Sequence, residues 1–123
     1  MNTPYEPTRD DRTRGELEDA HRDENLAARR RIEHAEESVA YYRSRMTSMQ
    51  ESFYAFAARN DAANDPEFRT ALQNVTDEID HNVREASAAI ARLEEDHQVA
   101  LARQSRELDD HAQAQRAKQH ATD

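Results

Sequence analysis

Three residue pairs with Glu-x-x-His spacing are the part of this chain that could most readily do chemistry. They are Glu18/His21, Glu78/His81 and Glu94/His97. Residues three apart share a face of a helix, and di-iron four-helix proteins use this spacing to hold a metal pair. Such a site also needs carboxylates from the facing helix. The register described below places Ala28 and Arg31 opposite the third pair, so the sequence predicts no metal site and no cofactor.

The residue types required for nucleophilic catalysis are missing or isolated. The chain has no Cys, and its single glycine, Gly15, cannot form a Gly-rich phosphate loop or a nucleophile elbow. His97 falls on an apolar helix face, where we expect it to lie in the seam between helices and to add some pH sensitivity. The sequence therefore predicts that the protein is not an enzyme.

The pattern that organises the chain is an apolar stripe over residues 32–56. Its members recur at alternating intervals of three and four, which is the heptad period of a coiled-coil seam. Upstream of the stripe, Thr13 and Glu16 fit a capping box that starts a helix. We expect helix one at about 13–59, preceded by a flexible tail at residues 1–12.

A cluster of turn-forming residues, 60–65, separates this helix from a second one. Asp65 suits the N-cap, and Pro66 suits the first helical position. Apolar residues then recur at helical spacing, which predicts helix two at about 66–118 with a frayed end. Folding the two stripes about the turn places residue i of helix one opposite roughly residue 125 − i of helix two.

These patterns predict an all-α fold, a coiled-coil-like antiparallel two-helix hairpin with mobile N- and C-terminal tails. The predicted hairpin seam consists of Ile32, Val39, Tyr42, Met46, Met49 and Phe53 on helix one and Phe68, Leu72, Ile79, Val83, Ile90 and Leu93 on helix two. Before Ala28 the stripe gives way to polar residues such as Asn25 and His21. We therefore expect residues 13–28 to be weakly anchored and frayed, or ordered by a partner.

Helix two carries most of the negative charge. The chain has a formal net charge of −9 at pH 7, and residues 61–123, with 14 acidic and 7 basic side chains, contribute −7 of it. A surface of this sign repels nucleic-acid phosphates and anionic membranes. Because no apolar run reaches the length of a membrane span, we expect a cytoplasmic protein with no nucleic-acid partner and no membrane insertion.

A two-helix hairpin covers only one face of each helix, so part of the apolar surface stays uncovered. The aromatic members of this uncovered band cluster near the turn, which favours an interface over scattered surface residues. The predicted partner-binding residues are Tyr41, Tyr54, Phe56 and Val75. A docked partner would add one or two helices and complete a three- or four-helix bundle.

Aromatic residues border the predicted turn on both sides, in Ser52-Phe53-Tyr54-Ala55-Phe56 before it and Pro66-Glu67-Phe68 after it. In this pattern, which spans roughly residues 15–111, the chain resembles the small helical-hairpin proteins of type VII secretion. It is similar in particular to the LXG-associated helical proteins, which bind the helical N-terminal domain of a toxin and target it for export. The Trp-x-Gly turn of WXG-type members is absent, as is an aromatic residue followed four positions later by an acid.

The resemblance implies a helical adaptor or chaperone that binds the helical domain of a larger protein and targets a toxin effector for export. The implied partner is an LXG-type effector, alone or with a second small helical protein, and the adaptor would stay cytoplasmic or be exported with its client. The residues leave one alternative open. It is a self-assembling coiled-coil homodimer without a client.

Overall fold

Two long helices account for most of residues 12–122, the part of the chain that this computed structural model describes. α1 spans Arg14–Asn60 and α2 spans Pro66–Thr122. They pack against each other as an antiparallel hairpin with no β-strand within the described residues, which confirms the predicted all-α fold. α2 continues to residue 122, past the predicted end at about 118. The predicted tail falls almost entirely on residues 1–11, which lie outside the described residues.

The start of α1 is fixed by Thr13. The Thr13 hydroxyl accepts a hydrogen bond from the Glu16 backbone N–H at 3.1 Å, as the capping box predicts. The Glu16 carboxylate in turn accepts from the Thr13 hydroxyl at 3.1 Å, whereas the sequence predicted a bond to the Thr13 backbone N–H. Thr13 thus satisfies one of the N–H groups that an α-helix leaves without a partner at its start.

The turn combines a C-cap with an N-cap. Asp61 adopts a left-handed backbone conformation with φ 54°, and the Ala62 N–H donates to the Ala57 carbonyl at 3.0 Å. This six-to-one bond closes α1 as a Schellman motif. The Asp65 carboxylate then accepts from the Glu67 N–H at 3.2 Å and caps α2, as predicted. The chain therefore reverses direction between two satisfied helix ends.

The hairpin comprises two compact units, and each contains a piece of both helices. We call residues 31–93 the turn unit, and residues 12–30 with 94–122 the terminal unit. In the turn unit, the Asn82 amide donates to the Tyr42 hydroxyl at 3.0 Å and the Gln50 amide donates to the Thr76 hydroxyl at 3.4 Å. Each pair is within one residue of the predicted register.

The predicted seam residues of the turn unit are half-buried rather than fully buried, because a two-helix hairpin has no second layer over the seam. Phe53 differs from the others, since 39% of its surface is exposed. The apolar stripe therefore pairs the two helices but leaves apolar surface beside the seam. Neither helix of the described residues contains a stretch long and apolar enough to cross a membrane.

The terminal unit overturns the expectation that residues 13–28 are weakly anchored. α1 is helical from Arg14, Leu17 is only 2% exposed, and Ala28 is also buried. The buried side chains of this unit include polar ones, His21 on α1 and Gln104 on α2. The prediction counted apolar residues alone and so missed an anchor built largely from hydrogen bonds.

Candidate functional site

A small apolar hollow lies beside the seam in the turn unit. It measures about 90 Å³ and is lined by Phe53, Phe68, Ala71, Leu72 and Val75. Phe56 follows Phe53 by three residues on α1, so the two rings are neighbours on the helix surface. Phe56 is 50% exposed. We call these six residues the turn patch; all of them are apolar.

The turn patch occupies one of the two sides of the seam. On this side, Val39 and Tyr42 of α1 border a second hollow together with Asn82 and Ala86 of α2. On the opposite side, Arg43 and Thr47 of α1 face Asp80 and Arg84 of α2 across a hollow of about 510 Å³. The first side is largely apolar and the second is rich in charge, so the two sides have different chemistry.

Tyr54 and Phe56, both predicted as partner-binding residues, lie on different sides of the seam. Residues two apart on an α-helix point about 200° apart. Gln50, four residues before Tyr54, lies on the charged side, where it bonds Thr76. Tyr54 is 59% exposed and shares that side, whereas Phe56 belongs to the turn patch. The prediction grouped exposed aromatics by their nearness in sequence and ignored their angle around the helix.

The other two predicted partner-binding residues lie on the side of the turn patch. Val75 is half-buried and lines the apolar hollow. Tyr41 is 66% exposed, and the Arg45 guanidinium lies over its ring at 5.8 Å from the centroid. Fifteen residues separate Tyr41 from Phe56, or roughly 22 Å along the helix. Tyr41 therefore lies well away from the turn patch, to which Phe56 and Val75 belong.

A second group of interacting side chains lies in the terminal unit, and all of them are polar. We call this group the polar cluster. It consists of His21, Glu24 and Asn25 on α1 and Arg103, Gln104 and Glu107 on α2. His21, Gln104 and Glu107 are 7%, 5% and 7% exposed, so most of the central side chains are out of contact with water. Buried polar groups are tolerated only when they are hydrogen-bonded.

Hydrogen bonds across the two helices satisfy these groups. The Asn25 and Gln104 amides form a reciprocal pair, with donor–acceptor distances of 3.0 and 2.8 Å. The Gln104 amide also donates to the Glu24 carboxylate at 2.8 Å. His21 Nε2 lies 3.0 Å from Glu107 Oε2, a distance at which the imidazole N–H donates to the carboxylate. The helices are thus joined by directional bonds at this level.

Arg103 completes the polar cluster as a bridge between two carboxylates. One of its guanidinium nitrogens donates to Glu107 on its own helix, and another donates to both oxygens of Glu24 on α1. Hydrogen bonds from Gln104 and Arg103 lower the pKa of Glu24, and the Glu24 and Glu107 carboxylates raise the pKa of Arg103. Both groups are therefore held in their charged forms.

The sequence does indicate the polar cluster, because polar residues occupy seam positions there. A prediction from apolar residues alone does not detect them. Continuing the stripe of α1 backwards meets His21 and Asn25, and the seam of α2 contains Gln104 at the level where apolar partners are missing. The observed partners on α2 lie three or four residues beyond the predicted register, at Glu107 and Gln104. Long side chains tilt towards the N-terminus of their own helix, so on antiparallel helices they meet from offset positions.

The Glu-x-x-His pairs do not assemble into a metal site. His21 bonds Glu107 instead of acting with Glu18, and His81 pairs with Glu85 at 3.3 Å on the surface. Within residues 12–122 there is no group of three or more His, Cys, Asp or Glu side chains placed to hold a metal ion. The carboxylates of the polar cluster are engaged with Arg103, Gln104 and His21, and these bonds join the two helices.

His97 departs from this pattern of satisfied polar groups. Its Nε2 atom is buried and has no hydrogen-bond partner among residues 12–122. An unpaired buried polar atom costs about 1–3 kcal/mol. We therefore expect His97→Leu to raise the free energy of unfolding by about 1–2 kcal/mol, measured by urea denaturation. His34→Leu, at an exposed position of α1, is the matched control and should change it by less than about 0.5 kcal/mol. A loss of stability in His97→Leu would show that the imidazole makes a favourable contact.

No protein-family model, no curated protein and no solved structure matches this chain.

Proposed function

We propose that this hairpin is a helical adaptor that binds the helical domain of a larger protein through the turn patch. The observation that carries the proposal is the exposure of Phe53 and Phe56 beside an apolar hollow, on one side of a seam that is only half-buried. A contiguous apolar patch of this kind on a small helical protein is typical of an interaction surface. The hollow on the opposite side of the same unit is lined by the charged residues Arg43, Asp80 and Arg84 in addition to apolar ones.

The binding mode follows from the geometry of the two helices. An amphipathic helix that lies along the turn patch would cover Phe53, Phe56 and Val75 and would turn the hairpin into a three-helix bundle. Each aromatic ring that becomes covered contributes through burial of apolar surface, which is worth about 25 cal/mol per Å². The hairpin supplies a preformed site, because both of its helices are already paired along the seam.

The client class rests on the resemblance to the LXG-associated proteins of type VII secretion. In that family the hairpin binds the helical N-terminal domain of a toxin and targets it for export, and we propose the same role for this chain. A client protein that carries its own export signal would explain why the aromatic-to-acid spacing is absent here. The adaptor then keeps the client's apolar helices covered until export.

The test is the molar mass by light scattering, alone and after co-expression with each protein encoded beside this one. We expect a defined complex with one neighbour. Phe56→Asp should weaken that complex at least 100-fold, because a carboxylate would be buried in an apolar interface. Tyr54→Asp is the matched control, since it places the same charge two residues away on the other side of the helix. Tyr54→Asp should weaken the complex by less than about threefold.

Two outcomes would contradict the proposal. A tight homodimer that ignores every neighbour would favour the self-assembling coiled coil. A complex that survives Phe56→Asp but is lost in Tyr54→Asp would place the interface on the charged side of the seam. For Phe56→Asp and Tyr54→Asp, circular dichroism of each variant alone checks that the helices still form.

A further inference from the structure

The two edges of the turn patch carry opposite charges. Between residues 41 and 60, the charged residues on the α1 edge of the patch side are Arg45 and Arg59. Between residues 66 and 86, those on the α2 edge are Glu67, Glu78 and Glu85. All five are exposed. The strongly negative charge of α2 therefore reaches this side of the seam, where it faces the positive edge of α1.

Helical spacing places these residues on the same side as the patch. Arg59 follows Phe56 by three residues, and Arg45 lies over Tyr41 on the same side. On α2, Glu67 precedes Ala71 by four residues and Glu78 follows Val75 by three. Glu85 follows Asn82 by three, and Asn82 borders the neighbouring hollow on this side. The residues between them on the two edges are uncharged, Ser48 and Ser52 on α1 and Asn74 and Asn82 on α2.

The existing partners of these charges can be exchanged at low cost. Glu85 pairs with His81, but the two side chains are 71% and 66% exposed. Arg59 donates a hydrogen bond to the Ala55 carbonyl of its own helix at 3.4 Å. An exposed ion pair contributes little to stability, and the Arg59 hydrogen bond is long. A docked helix could therefore compete for the Glu85 carboxylate and the Arg59 guanidinium.

We infer that the client helix has a mixed-charge edge pattern. It carries an apolar stripe with acidic residues along the flank that faces α1 and basic residues along the flank that faces α2. This inference rests on the proposed function and adds the chemistry of the partner. Charges at the rim of an interface select partners and speed association more than they strengthen binding. They would also set the direction in which the client helix lies, because reversing a helix exchanges its two flanks.

The probes are three synthetic amphipathic peptides of about four heptads with the same apolar stripe, long enough to be helical. One has an acidic and a basic flank, one has two acidic flanks, and one has two basic flanks. Binding is measured by fluorescence anisotropy at low salt. Each rim pair changes affinity by a factor of about two to five, so we expect the mixed peptide to bind about tenfold more tightly than either of the others.

The charge-reversed variant Glu67→Lys/Glu78→Lys/Glu85→Lys provides the decisive comparison. Its α2 edge becomes positive like the α1 edge, so the peptide with two acidic flanks should now bind most tightly. All three positions are exposed, and circular dichroism checks that the hairpin still forms. A switch in peptide preference would support the inference, and equal binding of all peptides to both proteins would overturn it.

Phe56→Asp separates the failure of this inference from the failure of the proposed function. If all peptides bind equally and all are lost in Phe56→Asp, the turn patch is the docking site and only the charge pattern is wrong. If peptide binding is absent or unaffected by Phe56→Asp, the adaptor proposal fails as well. A doubled molar mass in the absence of peptide would assign the patch to a second copy of the chain and would overturn both.

Discussion

Replacing Glu107 by alanine should lower the free energy of unfolding by about 3 kcal/mol, the largest effect we expect from any polar substitution in this chain. Glu107 is 7% exposed and accepts hydrogen bonds from His21 on α1 and Arg103 on α2. Its removal leaves a buried imidazole without its partner and removes one of the two carboxylates that hold Arg103. The loss at His21 carries most of the cost, because a buried imidazole cannot replace its lost partner with water, whereas Arg103 is partly exposed.

The measurement is urea denaturation followed by circular dichroism, with Glu85→Ala as the matched control. Glu85 also pairs with a histidine, His81, but both side chains of that pair are exposed. An exposed pair contributes about 0–1 kcal/mol, so the control should lose far less. Equal losses in the two variants would show that the polar cluster does not anchor the helices. Glu107→Gln, which keeps an acceptor and the same shape, should fall between wild type and Glu107→Ala.

The two units join α1 to α2 by different kinds of contact. In the turn unit the helices meet through half-buried apolar residues, with the Asn82–Tyr42 and Gln50–Thr76 hydrogen bonds beside them. In the terminal unit, the reciprocal Asn25–Gln104 pair and the Glu24–Arg103 bridge are satisfied only when their donors and acceptors meet. A polar group within an apolar seam is the best documented way to fix a register.

Most of the fold could be predicted from the sequence, because its signals are local. The caps at Thr13 and Asp65 and the heptad spacing after residue 32 each depend on residues close together in the chain. The polar cluster depends on pairs 79 to 86 residues apart, such as Asn25 with Gln104 and His21 with Glu107. Such pairs can be identified only after the register is known to within one residue, and the predicted register was three or four residues off at this level.

Only part of the turn patch could be located from the sequence, for a related reason. Phe56 and Val75 are predicted as partner-binding residues from their types and their position near the turn, and the structure places both in the turn patch, but their role in binding stays a prediction. Tyr54 could not be placed without knowing which side of the seam carries the patch. That knowledge comes from the pairing of Gln50 with Thr76 on one side and Tyr42 with Asn82 on the other. Exposure alone ranks Tyr54 above Phe56 and does not show that the two lie on different sides of the seam.

Leu17→Ala should lower the free energy of unfolding by about 3 kcal/mol, and it tests directly whether the first turns of α1 are anchored. Leu17 is 2% exposed, the most deeply buried large side chain among the described residues. Removing a buried leucine side chain costs about 2–5 kcal/mol, through lost apolar burial and the cavity that remains. Leu26→Ala is the matched control on the same helix, because Leu26 is 44% exposed and should lose less than about 1 kcal/mol.

Amide hydrogen exchange distinguishes a local effect from a global one in the same pair of variants. If the start of α1 is held by Leu17 together with the polar cluster, the amides of residues 18–24 should exchange faster in Leu17→Ala and remain protected in Leu26→Ala. Equally rapid exchange in wild type and both variants would mean that these turns open freely in solution. In that case the sequence-based expectation of a weakly anchored start would be right, and a bound client would have to supply the missing order.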